Sequence, residues 1–247
     1  MAVGRKRIRD NLQRIGENIA AAAGRAQRDP GGVRLVVVTK SADLDDVRTL
    51  IELGQRDLGE NRVQQLLARA EEIGPWVDRR RKDSPAELRW HMVGHLQRNK
   101  VKALLSVSRI IHSVDTLPLA EEISERAAAS GVTPDIMLEV NCSEEPQKFG
   151  VAVGAVAGLA DQVCTLGNLR LAGLMTMAPL VRDPEKARPT FARLREVFED
   201  LRSERLGGRH LTELSMGMSQ DYAVAVEEGA TILRVGTAVF ACPPAER

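Results

Sequence analysis

The sequence predicts an α/β protein, a (β/α)8 TIM barrel built as a single domain over residues 1–247 with one extra helix at its N-terminus. Three observations point there. About eight short apolar or β-branched runs alternate with helix-length stretches, the pattern of a parallel sheet covered by helices. The 247 residues, 43% of them hydrophobic, suffice for one barrel core. Polar or special residues follow directly after most apolar runs, at the strand ends where barrels carry their chemistry.

Residues 5–27 read as the extra helix, with Ile8, Leu12, Ile15 and Ile19 on one face, and Pro30-Gly31-Gly32 punctuates the chain behind it. The first buried strand is Val33 to Thr39 (VRLVVVT), ending in Lys40. A helix from Asp43 to Leu53 then stops at Gly54. Further strands are expected near Asp57–Gly59, Leu88–Val93, Arg109–Ser113, Asp135–Val140, Leu169–Gly173, Leu211–Leu214 and Ile232–Val235. Helical stretches between them are Val63–Ile73, Leu117–Ala129, Val151–Leu166, Pro184–Leu206 and Tyr222–Glu228. An open doubly wound sheet is the competing architecture, but no G-x-G-x-x-G opens a helix after the first strand. The Pro85 region and the tail after Phe240 read as surface segments.

Lys plus Arg number 35 against 34 Asp plus Glu, so a net charge of +1 offers no global attraction to nucleic acid or membrane. The run Arg79-Arg80-Arg81-Lys82 reads as a solvated loop, because aromatics for base stacking make up only 3% of the chain. Cys142, Cys164 and Cys242 are odd in number and far apart, which fits neither a disulfide framework nor metal-ligand spacing. No apolar signal core opens the chain and no run reaches the roughly 18 apolar residues of a membrane span, so a cytoplasmic protein is expected.

Lys40 is the most informative residue. At the inner end of a buried strand, desolvation favours its neutral, nucleophilic amine, which can condense with an aldehyde. The alternative is a lysine that reaches solvent or pairs with a carboxylate. Leu214-Ser215-Met216-Gly217-Met218-Ser219 precedes a helix starting near Asp221, and could form an anion cup or merely supply Ser219 as a helix cap. Arg234-Val235-Gly236-Thr237 follows the last strand, where barrels often place the other half of a phosphate site. Arg234 could aim at an electron-poor ring nitrogen or bridge barrel layers through salt bridges. His91, His95 and His112 lack an accompanying ligand set with metal spacing, so no metal site is expected. Met175, Met177, Met216 and Met218 read as pocket wall or core filler.

Together, eight segments resemble the pyridoxal phosphate homeostasis protein family, related to the N-terminal barrel of alanine racemases. They are LVVVTK ending at Lys40, GENRVQQ from Gly59, WHMVGHLQRNKVK from Trp90, IHSVD from Ile111, EVNCSEEPQKFGV from Glu139, GLMTMAP from Gly173, LSMGMSQDYAVAVEEGAT from Leu214 and RVGTAVFA from Arg234. The resemblance implies that pyridoxal 5′-phosphate (PLP) is held as a Schiff base on Lys40. It implies a phosphate bound by Ser219 with the backbones of Met218, Gly236 and Thr237, Arg234 facing the pyridine nitrogen, and Asn61, His91 and Met216 lying along the cofactor. Lys148 matches a family lysine near the pocket mouth. The chain departs from the family at Ala42, where relatives often carry a lysine, and in its tail FACPPAER.

The function so implied is PLP homeostasis: a monomer that takes up PLP and supplies it to PLP-dependent apo-enzymes. The alternative is a PLP-dependent amino-acid racemase. That chemistry needs a second base, normally a tyrosine from a further domain in the related racemases, whereas this chain ends directly after the barrel and its single tyrosine, Tyr222, would have to point inward. A regulatory protein whose partner binding follows cofactor occupancy is a third reading.

Overall fold

The computed structural model describes residues 3–80, 87–143, 145, 147 and 149–241. Eight parallel strands close into a barrel: β1 (Arg34–Val38), β2 (Asp57–Glu60), β3 (Arg89–Met92), β4 (Ile110–Val114), β5 (Asp135–Asn141), β7 (Arg170–Met175), β8 (Glu213–Ser215) and β9 (Ile232–Val235). Their order is β4-β3-β2-β1-β9-β8-β7-β5, and pairing of β4 with β5 closes the ring. A two-residue strand, β6 (Val151–Ala152), adds to the end of β5 through Val140 and Val151. The helices are α1 (Arg5–Arg25), α2 (Leu44–Glu52), α3 (Val63–Arg79), α4 (Val101–Leu104), α5 (Leu117–Ser130), α6 (Val156–Cys164), α7 (Arg188–Ser203), α8 (Tyr222–Glu227) and α9 (Thr237–Phe240).

Side chains alternate along a strand, so each strand serves two cores. Val37, Leu58, Met92, Ile111, Leu138, Leu174, Leu214 and Leu233 join the main core under the helices. Val36, Met137, Met175 and Ile232 form a separate small cluster with Ile110 inside the barrel. Below it the strand starts are closed by ion pairs: Arg34 with Glu213 at 3.5 Å, Arg89 with Asp57 at 2.6 Å and Arg170 with Asp135 at 2.6 Å.

α1 follows its predicted face, burying Ile8, Ile15 and Ile19, each contributing about 1.5–3 kcal/mol, with the smaller Ala22 and Ala23 beside them. It packs on α8 and α9, and Asn11 Nδ2 donates to the carbonyls of Val239 at 2.8 Å and Ala241 at 3.0 Å. The helix ends two residues earlier than its apolar pattern suggests, because Gln27 turns left-handed at φ 54°. α3 runs past Ile73 through Pro75 to Arg79, since Ile73 and Trp76 continue its buried face. The stretch Val151–Leu166 is not one helix: its start pairs with β5, and α6 begins only at Val156. α4 is a single turn with too few residues to show a period, and the sequence does not reveal it. Among the described residues, no helix is long and apolar enough to cross a membrane. Arg79 and Arg80 belong to the end of α3, with Arg80 stacked 4.2 Å over Trp76, while Arg81, Lys82, Pro85 and residues 242–247 lie outside the described residues.

Candidate functional site

The carboxyl ends of β1, β8 and β9 lie side by side in the ring, which brings Lys40, the segment after β8 and the segment after β9 to one end of the barrel. β1 ends at Val38, and Thr39 extends the ladder by donating its N–H to the Gly59 carbonyl at 2.9 Å. Ala42 N–H then returns to the Thr39 carbonyl at 2.9 Å, closing the turn that carries Lys40. Two α3 side chains hold this turn: Gln65 Nε2 donates to the Lys40 carbonyl at 2.8 Å and Arg69 Nη2 to the Ala42 carbonyl at 2.6 Å. Arg69 Nε lies 2.7 Å from the fully buried Glu60, which also accepts the Thr39 hydroxyl at 2.5 Å. Burial pushes the Glu60 carboxyl up, against the pull of Thr39 and Arg69.

The Lys40 side chain itself is exposed. That corrects the expectation of a desolvated amine: the strand beneath Lys40 is buried, but the lysine stands beyond its end in a turn. The Ala42 methyl is buried in the main core, so at this position a long charged side chain would have to leave the packing seen here.

After β8, Gly217 adopts φ +92°, and a Cβ there would meet Ala225 Cβ at 2.5 Å. Met218 N–H donates to Asp221 Oδ1 at 2.6 Å. Ser219 caps neither end of α8; its hydroxyl oxygen accepts the N–H of Ala238 at 3.1 Å, joining the segment after β8 to the one after β9. Gly236 stands before α9, where a Cβ would lie 3.0 Å from the Val38 carbonyl oxygen, and Thr237 is exposed beside it. Ser219, Gly236 and Thr237 therefore converge next to the strand that delivers Lys40.

Arg234 lies inside the barrel, level with Val36 and almost fully buried. Nη1 donates to Ser215 Oγ at 2.7 Å and Nη2 to the Thr176 carbonyl at 2.8 Å. These partners are neutral, so the salt-bridge alternative is not what the hydrogen bonds show. Burial brings the Arg234 guanidinium down to about 10, opposed by Glu139 and Asp221. Glu139, on β5, is pushed up to about 7 by burial, with Arg234 pulling it down and Asp115 pushing it up. The sequence offers no sign of Glu139 as a site group, because it sits inside an apolar strand.

His91 is not at the mouth. It is fully buried, with Nε2 2.9 Å from Asp57 Oδ1 and Nδ1 2.9 Å from His112 Nε2. His112 Nδ1 is 2.8 Å from Ser215 Oγ. Met216 likewise sits fully buried in the main core, where strand alternation turns it away from the interior side occupied by Ser215. Asn61 follows β2 half-buried, packed so closely under Gly94 that a Cβ there would lie 2.3 Å from the Asn61 carbonyl oxygen. His95 stands apart from the other histidines, stacked on exposed Phe149 with ring centroids 4.3 Å apart. Lys148 lies outside the described residues.

Residues 11–244 match the alanine racemase N-terminal domain family. The pyridoxal phosphate homeostasis protein of Aquifex aeolicus is 38% identical over 231 residues, covering 94% of this chain and 96% of that protein. The chain belongs to the pyridoxal phosphate homeostasis protein family. Its fold matches a crystal structure of an unknown protein from Bifidobacterium adolescentis at TM-score 0.88 and 39% identity, covering 96% of this chain and 95% of that one. PipY of Synechococcus elongatus PCC7942, solved with PLP bound, matches at TM-score 0.76 and 33% identity, covering 92% of this chain and all of that one (100%). The matched residues 11–244 include all the barrel strands and the segments after β1, β8 and β9.

Proposed function

We propose that this chain is a PLP-binding homeostasis protein, one domain over residues 1–247, that holds the cofactor on Lys40 and supplies it to PLP-dependent apo-enzymes as a cytoplasmic monomer. The observation that carries this reading is the convergence, at one barrel end, of an exposed lysine, a hydroxyl and backbone cup from two neighbouring strands, and a buried arginine whose hydrogen bonds among the described residues go to neutral partners. A relative with PLP bound supports it.

The donor set fits the group. Ser219 Oγ, with the backbones of Gly236 and Thr237, would take the phosphate, whose charge suits N–H donors at a turn leading into a helix, and Met218 N–H would join them on leaving Asp221 Oδ1. Arg234 would face the pyridine nitrogen; a guanidinium still charged near neutral pH would keep that nitrogen unprotonated and limit the ring as an electron sink. When bound, PLP supplies an aldehyde carbon that a primary amine attacks. Lys40 Nζ would provide that amine, presented by the Thr39–Ala42 turn that Arg69 clamps. Asn61 would border the cofactor, whereas His91 is buried inside the barrel and Met216 in the main core.

Tyr222 favours a binder over a racemase. Its hydroxyl accepts Asn18 Nδ2 at 2.8 Å, which turns it toward α1 on the outside of the barrel.

The test is an absorbance spectrum of purified wild-type and Lys40→Ala protein, before and after borohydride reduction, with mass spectrometry of the peptides. A visible band reduced to a pyridoxyl adduct on Lys40, and absent from the variant, is expected. Wild-type protein that binds no PLP even in excess would overturn the reading.

A further inference from the structure

A chain of buried polar groups crosses the barrel interior beneath the cofactor-facing arginine, and only its last member figures in the function above. It runs from Asp57 on β2 through His91 on β3 and His112 on β4 to Ser215 on β8 and Arg234 on β9, with successive contacts of 2.9, 2.9, 2.8 and 2.7 Å. His91, His112 and Ser215 are fully buried, and the second Asp57 oxygen is held by Arg89 at 2.6 Å.

The chemistry of the two ends gives the chain a direction. Arg234 can only donate, so Ser215 Oγ accepts from it and has its own proton free for His112 Nδ1. His112 then carries its proton on Nε2 and donates to His91 Nδ1. His91 in turn carries its proton on Nε2 and donates to Asp57, which as a carboxylate can only accept. Every bond points from the cation to the anion. Burial lowers both rings; the adjacent His91 and then Arg234 on β9 lower His112 further, Arg34 on β1 lowers both and Arg89 on β3 lowers His91, while Asp57 favours a charged His91. Burial also raises Asp57, yet the hydrogen bonds from Arg89 and His91 outweigh it and hold the carboxyl well below the usual range.

We infer that His91 and His112 are positioning residues for the cofactor: a one-way hydrogen-bond relay, both rings protonated on Nε2, orients Arg234 through Ser215 and links its charge to Asp57 across the barrel. Each link saturates the next group, so the guanidinium is held in one place by partners that cannot rotate to another donor. The inference rests on the PLP reading for what Arg234 faces, but not for the direction of the relay.

Two measurements test it. Nitrogen NMR of protein with labelled histidine, assigned through His112→Gln, should show both rings neutral with the proton on Nε2 near neutral pH. A proton on Nδ1, or a charged ring, at either position overturns the relay. PLP binding then reads its effect: Ser215→Ala and His112→Leu should each weaken binding about ten- to a hundred-fold, as expected for loss of a charge-assisted link, and shift the pH midpoint of the bound cofactor's absorption. His112→Gln, which can still accept at Oε1 and donate at Nε2, should recover most of both. Unchanged affinity and midpoint in folded Ser215→Ala, or equal losses in the Leu and Gln variants, would overturn the positioning role. Wild-type protein that binds no PLP would overturn the cofactor reading instead, while the NMR spectrum still decides the direction of the relay.

Discussion

Arg69 Nη2 donates to the Ala42 carbonyl at 2.6 Å, so one side chain of α3 grips the far end of the turn that presents Lys40. The same guanidinium neutralises Glu60, which has no exposure to solvent. Arg69→Leu should therefore cost about 3–5 kcal/mol, the penalty for leaving one partner of a buried pair alone. Urea unfolding would measure that loss. PLP titration of the folded fraction should show weaker binding, because the lysine turn loses its clamp.

Glu139 makes stability depend on pH with a definite sign. Its folded value of about 7 lies above the ordinary 4.5, so the folded protein holds this proton more tightly than the unfolded chain. The stability it contributes is fully present below the unfolded value and lost as pH rises through about 7. Glu139→Gln should gain on wild type between about pH 5 and pH 8, by of the order of 1–3 kcal/mol. Unfolding curves at the two pH values that differ equally for both proteins would refute this.

Gly94, after β3, packs directly against the backbone of Asn61, after β2. Gly94→Ala would put a Cβ 2.3 Å from the Asn61 carbonyl, so the loops must separate, at a cost of roughly 1–3 kcal/mol. Gly158→Ala, inside α6 with nothing within 4 Å of the new Cβ, should instead stabilise by about 0.5–1 kcal/mol. Thermal melts of the pair should move in opposite directions.

Tyr222 ties α8 to α1 through Asn18. Tyr222→Phe should lose about 1 kcal/mol of stability for the missing hydrogen bond, with PLP binding intact. Solvent deuterium exchange at the α-carbon of added amino acids checks the racemase alternative: an exchange that wild type shows and Tyr222→Phe loses would make this tyrosine a base after all.

The amino-acid sequence alone determined the β/α alternation, the placement of Lys40 after the first strand and the position of the Ser219 and Gly236 segments directly after the last two strands. These depend on local order: apolar period, turn residues and position relative to a strand end are all written along the chain. Short elements such as α4 and β6 escaped because too few residues carry a period. Only the tertiary structure decided that Lys40 is exposed, that His91 reaches Arg234 through His112 and Ser215, that Glu139 faces Arg234's charge, and that Met216 and Tyr222 turn away from the barrel interior. The physical reason is barrel closure. It sets residues from five strands within hydrogen-bonding distance across a common interior, and burial then fixes their charge, which no spacing along the chain encodes.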